Sequence, residues 1–220
     1  MKKLVIFGSG DIAQLAHFYF TSDSPYEVAA FTVDAAYLEA SSFCDLPVVP
    51  FGDVAKNYPP DSYDCFVALS YSKLNAVRKD KFLAAKEMGY KLVSYISSRA
   101  TVLNEGRIGE NCFIFENNTI QPFVTIGNNV TLWSGNHIGH HSVIHDHTFI
   151  ASHAVISGGV EIGEQCFVGV NATLRDHIKI GDRCVVGAGA LLLADAEPEG
   201  VYIGTAIERS KVPSTRLRGI

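Results

Sequence analysis

Residues 108–144 read IGENCFIFENNTIQPFVTIGNNVTLWSGNHIGHHSVI. An aliphatic residue stands at every sixth position of this run, and the series continues in the same register to residue 192. Small residues dominate the position four residues after each aliphatic, and a glycine often follows the aliphatic directly. The aliphatic series is Ile108, Ile114, Ile120, Ile126, Leu132, Ile138, Ile144, Ile150, Ile156, Ile162, Val168, Leu174, Ile180, Val186 and Leu192.

A period of six residues predicts one short strand and one corner per repeat, so that three repeats close one triangular coil. The aliphatic side chains then point inward and fill the prism. This pattern predicts five uninterrupted coils of a left-handed parallel β-helix over residues 108–197. Alternating antiparallel strands would show a period of two residues, which is absent here. Cys112, Cys166 and Cys184 fall on small inward positions, so we interpret them as packing residues rather than catalytic ones.

The preceding residues follow a different pattern, in which short apolar runs alternate with helical spacing. Strands are expected at residues 4–7, 27–33, 47–49, 64–69 and 91–96, and helices at residues 11–20 and 73–88. Alternation of strands and helices predicts a parallel sheet with helices on its faces. We therefore divide the chain into a Rossmann-like α/β domain at residues 1–98 and a β-helix domain with a C-terminal cap at residues 99–220.

Composition excludes several classes of protein. The 220 residues carry a formal net charge of −5 without a run of Lys and Arg, which argues against a nucleic-acid partner. The five cysteines form no CxxC pair, which argues against a disulfide framework or a zinc knuckle. The first apolar run stops at Gly8, too early for a signal peptide, and no window approaches 18 apolar residues. We expect no membrane segment and a cytoplasmic location.

The segment Gly8-Ser9-Gly10-Asp11-Ile12-Ala13 follows the first strand and has the spacing GxGxxA. Such glycines let a phosphate approach the backbone at the N-terminus of a helix. Asp34 ends the second strand, 24 residues after Gly10, where an acid that binds a nucleotide is expected. Taken alone this predicts NAD, but no dehydrogenase substrate domain follows. An NAD-sensing or scaffold protein is one alternative.

A polar loop, Ser70-Tyr71-Ser72-Lys73-Leu74-Asn75, follows the fourth strand and precedes Arg78. A loop at the carboxyl end of a strand can hold a diphosphate or a hexose. The equally open alternative is the solvated start of a helix.

Six of the eight histidines lie between residues 137 and 153. Residues 18 apart stack on one face of the solenoid, so His141, His147 and His153 lie on three different faces and cannot converge within one chain. His140 and His145 have the HxxxxH spacing of the interfacial zinc site in gamma-class carbonic anhydrases, and imidazole is a good zinc ligand. The third histidine of that family is missing, and the plainer alternative is polar residues at solenoid corners.

Two columns of stacked corner positions contain mainly small residues, which leaves a narrow groove along the solenoid axis. Such a groove suits the pantetheine arm of coenzyme A, and the Gly-rich segment 200–206 could close over its nucleotide end. The first column holds Ser134, Ser152, Val170 and Ala188, and the second holds His140, Gly158 and Asp176.

The two halves together resemble the sugar acyltransferases of the PglD/NeuD type. These enzymes N-acetylate nucleotide-linked amino sugars or O-acetylate sialic acids. The resemblance implies an acetyl-CoA-dependent N-acetyltransferase of bacterial surface glycan (lipopolysaccharide) biosynthesis, without a metal. It also implies a homotrimer and a substrate linked to dTDP, UDP or GDP. A sugar O-acetyltransferase and a carbonic-anhydrase-like zinc enzyme are the alternatives.

The resemblance also implies roles for individual residues. The family's catalytic base falls on His140, in the segment Ile138-Gly139-His140-His141-Ser142-Val143-Ile144, with His141 standing where the N-acetyltransferases carry a glutamate. A family histidine that contacts acetyl-CoA is replaced by Phe149. The implied acetyl-CoA contacts are Gly158, Val170 and Ala188, and the implied sugar-nucleotide contacts are Gly8, Ser9, Gly10, Val33, Asp34 and Ser70.

Overall fold

The computed structural model describes residues 2–206, 209, 211 and 213–216. In this part of the chain, no helix is long and apolar enough to cross a membrane. The N-terminal elements are β1 (Lys2–Phe7), α1 (Asp11–Ser22), β2 (Tyr26–Val33), β3 (Ser42–Phe43), β4 (Leu46–Pro50), α2 (Val54–Asn57), β5 (Tyr63–Val67) and α3 (Ala76–Glu87). Short 3₁₀ turns cover Ala35–Tyr37, Phe51–Asp53 and Ser214–Arg216.

These strands form one sheet in the order β3-β4-β2-β1-β5, in which only β3 runs antiparallel to its neighbour. Alternate residues of β1 face opposite sides, because a strand has a period of two. Leu4 and Ile6 pack with Phe20 of α1, whereas Val5 and Phe7 pack with Phe82 of α3. Since β1 lies between β2 and β5, the loops after β1 and β5 diverge and leave a crevice at the carboxyl edge.

Two predicted elements differ from the structure. The prediction that residues 91–96 form a fifth strand of this sheet is wrong. Only Leu92 bridges Cys65 of β5, and Tyr95–Ile96 pairs instead with Phe113–Ile114 as the first rung of the solenoid. The helix expected from residue 73 begins at Ala76, because the three preceding residues have positive φ. The division of the chain at residue 98 stays a prediction.

The remaining chain is a triangular solenoid of two-residue strands that pair in parallel at a spacing of 18 residues, for example Thr131 with Phe149, except that Val185 pairs with Val201. The inward aliphatics from Ile114 to Leu192 are at most 6% exposed, which confirms the sixfold repeat. The first sheet contains Tyr95–Ile96, Phe113–Ile114, Thr131–Leu132, Phe149–Ile150, Phe167–Val168, Val185–Val186 and Val201–Tyr202. The second contains Thr101–Val102, Thr119–Ile120, His137–Ile138, Val155–Ile156, Thr173–Leu174 and Leu191–Leu192. The third contains Thr125–Ile126, Val143–Ile144, Glu161–Ile162 and Lys179–Ile180.

Every corner of the solenoid places one residue in the left-handed region of φ, again at intervals of six from residue 105 to residue 189. Asn, Gly and His tolerate this conformation better than most residues. Eleven of these fifteen corner positions hold such a residue, namely Asn111, Asn117, Asn129, Gly135, His141, His147, His153, Gly159, Asn171, His177 and Gly189. Half of the eight histidines therefore stand where the backbone favours their residue type.

The cysteines at inward positions are packing residues, as expected. Cys112, Cys166 and Cys184 are fully buried in the solenoid core. Burial raises the pKa of the Cys166 thiol to about 12 and that of Cys112 to about 11, so these thiols are protonated at neutral pH.

The N-terminal domain packs directly on the first sheet of the solenoid, and one buried cluster contains residues of both halves. The Tyr19 hydroxyl donates to Glu116 Oε2 at 2.9 Å. The Asn111 side chain bonds both backbone groups of Val67, at 2.7 Å and 3.2 Å. These contacts hold the α/β sheet in a fixed position against the first coils of the solenoid.

Candidate functional site

The glycine loop after β1 has the geometry that a phosphate-binding turn requires. Gly8 has φ +125° and donates its N–H to the carbonyl of Thr32 at 2.8 Å. A Cβ at Gly8 would lie 2.7 Å from the carbonyl oxygen of Ala68, so only glycine fits there. Gly10 precedes α1, and a Cβ added to it would meet no atom within 4 Å. The backbone at the N-terminus of α1 is therefore open to a ligand.

A cavity of about 610 Å³ lies at the switch point of the sheet, between the loops that follow β1 and β5. Its far wall is Trp133, a residue of the solenoid, so both halves of the chain contribute. The structure brings the predicted residues Gly10 and Ser70 together here. The lining is Gly10, Asp11, Ile12, Ala68, Leu69, Ser70, Tyr71, Ser72 and Trp133.

The other predicted nucleotide contacts lie apart from this cavity. Ser9 lines a separate, smaller pocket of about 150 Å³ beside Tyr37. Val33 is only 4% exposed, so its side chain is closed to a ligand. Asp34 is ion-paired with Lys81 at 2.6 Å, and a ligand hydroxyl would have to share or displace that ammonium group. This ion pair could not be predicted from local sequence, because the two residues are 47 positions apart.

His140 and His141 form a hydrogen-bonded pair at an exposed corner. Their Nδ1 atoms are 3.1 Å apart. The backbone N–H of His140 donates to Gln121 Oε1 at 2.8 Å, and the His141 ring lies on Phe123 with centroids 4.7 Å apart. The role of Gln121 and Phe123 as supports was not foreseen from the sequence.

The hydrogen bond of the pair can form in two tautomeric arrangements, because one Nδ1 atom must donate and the other must accept. When His140 Nδ1 donates to a neutral His141, the Nε2 atom of His140 carries a free lone pair. The His140 ring lies against Gly158, where an added Cβ would fall 2.6 Å from Cε1, 2.8 Å from Nε2 and 3.1 Å from Nδ1. In this tautomer the imidazole can accept a proton from a group beside Gly158.

The predicted acetyl-CoA contacts lie on two different corners of the chain. Gly158 stacks one coil beyond His140, whereas Val170 and Ala188 belong to another column and both are exposed. A groove containing all three would need the surfaces of two adjacent copies. At the C-terminal end a further cavity of about 610 Å³ is lined by Gly189, Ala190, Leu191, Leu192, Leu193, Ala194, Asp195, Val201, Tyr202, Ile203, Gly204 and Thr205. Most of the predicted cap segment lines this cavity.

The structure does not bring the HxxxxH pair together as ligands of one site. His145 Nε2 lies 3.2 Å from Glu161 Oε1, while His140 bonds His141. Within residues 2–206 and the few described positions beyond, no three side chains of His, Cys, Asp and Glu are grouped as a metal site.

His147 differs from the expected polar corner residue, because the N-terminal domain covers its corner. It is 4% exposed, and its Nδ1 atom lies 2.9 Å from the amide nitrogen of Asn129. The ring also packs edge-on against Phe82 of α3. Burial lowers the pKa of His147 to about 4, so the ring is neutral and accepts the amide hydrogen.

We expect this burial to make stability depend on pH. An unfolded histidine titrates near pH 6.5, so between about pH 6.5 and about pH 4 the unfolded chain binds one more proton than the folded chain. The free energy of unfolding should fall by roughly 2–3 kcal/mol as the pH is lowered through this window. Urea unfolding at several pH values measures it. His147→Asn, which tolerates the left-handed corner, should lack this component, and an unchanged pH dependence in that variant would refute the assignment.

Comparison with known proteins supports the assignment of the fold. Residues 106–140, 126–158 and 159–194 match the family model "Bacterial transferase hexapeptide (six repeats)". By sequence, no curated protein matches the chain.

Three solved structures resemble it over nearly their whole length. The acetyltransferase domain of PglB from Neisseria gonorrhoeae FA1090 is 24% identical, with 89% of this chain and 93% of that chain covered and a TM-score of 0.79. PerB from Caulobacter crescentus, in complex with CoA and GDP-perosamine, is 24% identical, with 93% and 95% covered and a TM-score of 0.81. WeeI from Acinetobacter baumannii AYE is 20% identical, with 93% and 97% covered and a TM-score of 0.78. These matches confirm the predicted fold, a Rossmann-like α/β unit followed by a left-handed β-helix.

Proposed function

We propose that this chain transfers an acetyl group from acetyl-CoA to the amino group of a nucleotide-linked amino sugar. The observation that carries the proposal is the hydrogen-bonded His140–His141 pair, in which the His140 ring lies against Gly158, a predicted acetyl-CoA contact. The open glycine loop supplies a second, separate site that suits a diphosphate. The neighbours support the same ligands, since PerB is bound to CoA and GDP-perosamine.

The reaction follows from these groups. The substrate amine attacks the thioester carbonyl, a C–N bond forms, and the C–S bond to coenzyme A breaks. His140 Nε2 accepts the proton that the amine loses, and the resulting imidazolium gives this proton to the departing thiolate of coenzyme A, which restores neutral His140. His141 keeps His140 in the required tautomer by accepting its Nδ1 hydrogen, the position at which the resembled N-acetyltransferases use a glutamate.

The assembly that we propose is a homotrimer in which neighbouring copies share the acetyl-CoA groove. It would join Gly158 of one copy to Val170 and Ala188 of the next. Three exposed apolar side chains on the solenoid support burial between copies, namely Val155 at 41%, Leu191 at 62% and Leu193 at 55% exposure. Light scattering should give three times the chain mass of 23.9 kDa. We place the reaction in the cytoplasm, in the biosynthesis of bacterial surface glycans.

Separate titration of each ligand tests where the substrates bind. Gly10→Val should weaken the binding of the preferred nucleotide among dTDP, UDP and GDP by about tenfold or more, because the new side chain enters the cavity beside α1. Asp34→Ala should also weaken it. Acetyl-CoA affinity should be unchanged in both variants, as in the control Gly52→Ala, whose added Cβ meets no atom within 4 Å.

Calorimetry measures all of these affinities. Nucleotide binding at wild-type strength in both variants would show that the substrate lies elsewhere. Tight NAD binding without binding of the three nucleotides would favour the NAD-sensing alternative.

A further inference from the structure

Arg78, on α3, is a buried cation that contacts no carboxylate among the residues that the structure describes. Arg78 is 1% exposed, and its guanidinium donates to carbonyl oxygens and to amide side chains. Nη2 donates to Asn75 Oδ1 at 2.8 Å, to the carbonyl of His147 at 3.1 Å and more weakly to that of Thr148 at 3.4 Å. Nη1 donates to the carbonyl and the Oδ1 atom of Asn129. Because an isolated buried charge is costly, these acceptors must be held in place around it.

Asn75 extends the same set of contacts by one coil. Its Nδ2 atom donates to the carbonyl of Cys166 at 3.0 Å and approaches that of Gln165 at 3.5 Å. Asn129, His147 and Gln165 are 18 residues apart, so they are successive left-handed residues of one solenoid corner. The side chains of Asn75 and Arg78, at the start of α3, therefore form hydrogen bonds to three stacked coils. We call these two residues the clamp.

The clamp shares Asn75 with a strained turn. Lys73, Leu74 and Asn75 have φ of 50°, 51° and 66°, three consecutive left-handed residues without a glycine. Each such residue costs about 1–2 kcal/mol, and strain of this kind persists only where the surroundings fix it. The solenoid supplies that support, since Gln165 Nε2 also donates to the carbonyl of Leu74 at 3.4 Å.

The strained turn also fixes the position of the loop that lines the cavity. Ser70, Tyr71 and Ser72, which we call the substrate loop, stand immediately before the turn and face Gly10 across the cavity. Tyr71 rests on two solenoid side chains, with ring centroids 5.0 Å from Phe149 and 4.8 Å from Phe167. The position of the substrate loop is thus set by the solenoid rather than by the α/β sheet alone.

We propose that Asn75 and Arg78 are positioning residues that hold the substrate loop in its ligand-binding conformation through the solenoid. The identity of the ligand, a sugar nucleotide, rests on the function proposed above. The clamp itself is a property of the fold and can be tested without any ligand. Loosening it should release the substrate loop while the acetyl-CoA groove, on other corners, stays intact.

The test compares Arg78→Met with wild type. Methionine fills the buried space without the charge, a replacement that cores often tolerate. Asn75→Gly is the second variant, because it removes the amide contacts while tolerating positive φ. Lys79→Met is the matched control. The Lys79 side chain also reaches across to the solenoid from α3, at 3.3 Å from Glu164 and 3.1 Å from Gln165, but it makes no hydrogen bond to the strained turn.

Two measurements are made on each variant. Amide hydrogen exchange of residues 70–75 should accelerate at least about tenfold in Arg78→Met and Asn75→Gly and stay at the wild-type rate in Lys79→Met. The affinity for the preferred nucleotide among dTDP, UDP and GDP should fall about tenfold in the first two variants, with acetyl-CoA affinity unchanged.

The outcomes separate the two proposals. Wild-type exchange of residues 70–75 in both folded clamp variants would overturn the clamp. Accelerated exchange in a protein whose wild type binds none of the three nucleotides would support the clamp and count against the proposed substrate. An equal loss of acetyl-CoA and nucleotide affinity would mean that the two residues only stabilise the fold, and the positioning role would be wrong.

Discussion

Replacing His140 by alanine should lower kcat by ~10²–10⁴-fold, the usual contribution of a general base. An amine must lose a proton when it attacks a thioester, and a neutral imidazole is suited to accept it. Only the imidazole ring of His140 reaches the groove. Its removal should therefore change the affinity for acetyl-CoA little.

A matched control is His153→Asn, at another corner of the solenoid. His153 is exposed, has φ +59° and lies over Gly135, so it has a comparable environment without a partner histidine. Its replacement should leave kcat within about twofold of wild type, the range expected for a surface change away from the reacting groups. If His140→Ala keeps more than about a third of the wild-type kcat, His140 is not the base.

Gly158→Ala should produce the second large loss, although it adds a single methyl group. The new Cβ would lie 2.6 Å from Cε1 and 2.8 Å from Nε2 of the His140 ring, so the imidazole must move. A displacement of about 1 Å at a reacting group can cost 10²-fold in rate. We expect kcat to fall by about that factor, while nucleotide affinity at the distant glycine loop stays at its wild-type value.

Gly52→Ala is the control for Gly158→Ala, because the same methyl group enters open space there. Steady-state kinetics with each substrate varied in turn would separate kcat from the two KM values. A Gly158→Ala enzyme with wild-type kcat would show that the His140 ring need not stay where the structure places it, and the geometric argument for the base would fail.

The architecture could be predicted because both halves repeat a simple pattern. One aliphatic every six residues left no other regular fold open, and burial of Ile114 to Leu192 follows directly from it. The sequence contains a second series of residues with a period of six, which the prediction did not use. Asn, Gly and His recur three residues after the aliphatic, at the corners with positive φ. Recognising that series would have explained His141, His147 and His153 as corner residues before any chemistry was considered.

The parts of the site that escaped prediction depend on contacts between distant residues. Asp34 meets Lys81 only because α3 packs beside the carboxyl edge of the sheet. Arg78 follows the polar loop that was expected to hold a diphosphate or a hexose, yet its side chain is buried against the solenoid corner. The strained turn before it contains no glycine, so nothing in its composition indicated positive φ. Such features follow from tertiary packing and have no local signal.

The most direct test of the central claim is turnover by the purified protein with acetyl-CoA and a panel of amino sugars linked to dTDP, UDP and GDP. The account predicts release of free coenzyme A together with one N-acetylated sugar nucleotide in equal amounts, identified by mass spectrometry, and the loss of both products with His140→Ala. Acetylation of a sugar hydroxyl instead would contradict the N-transfer. No acetylated product from any member of the panel, with acetyl-CoA bound, would contradict the account as a whole.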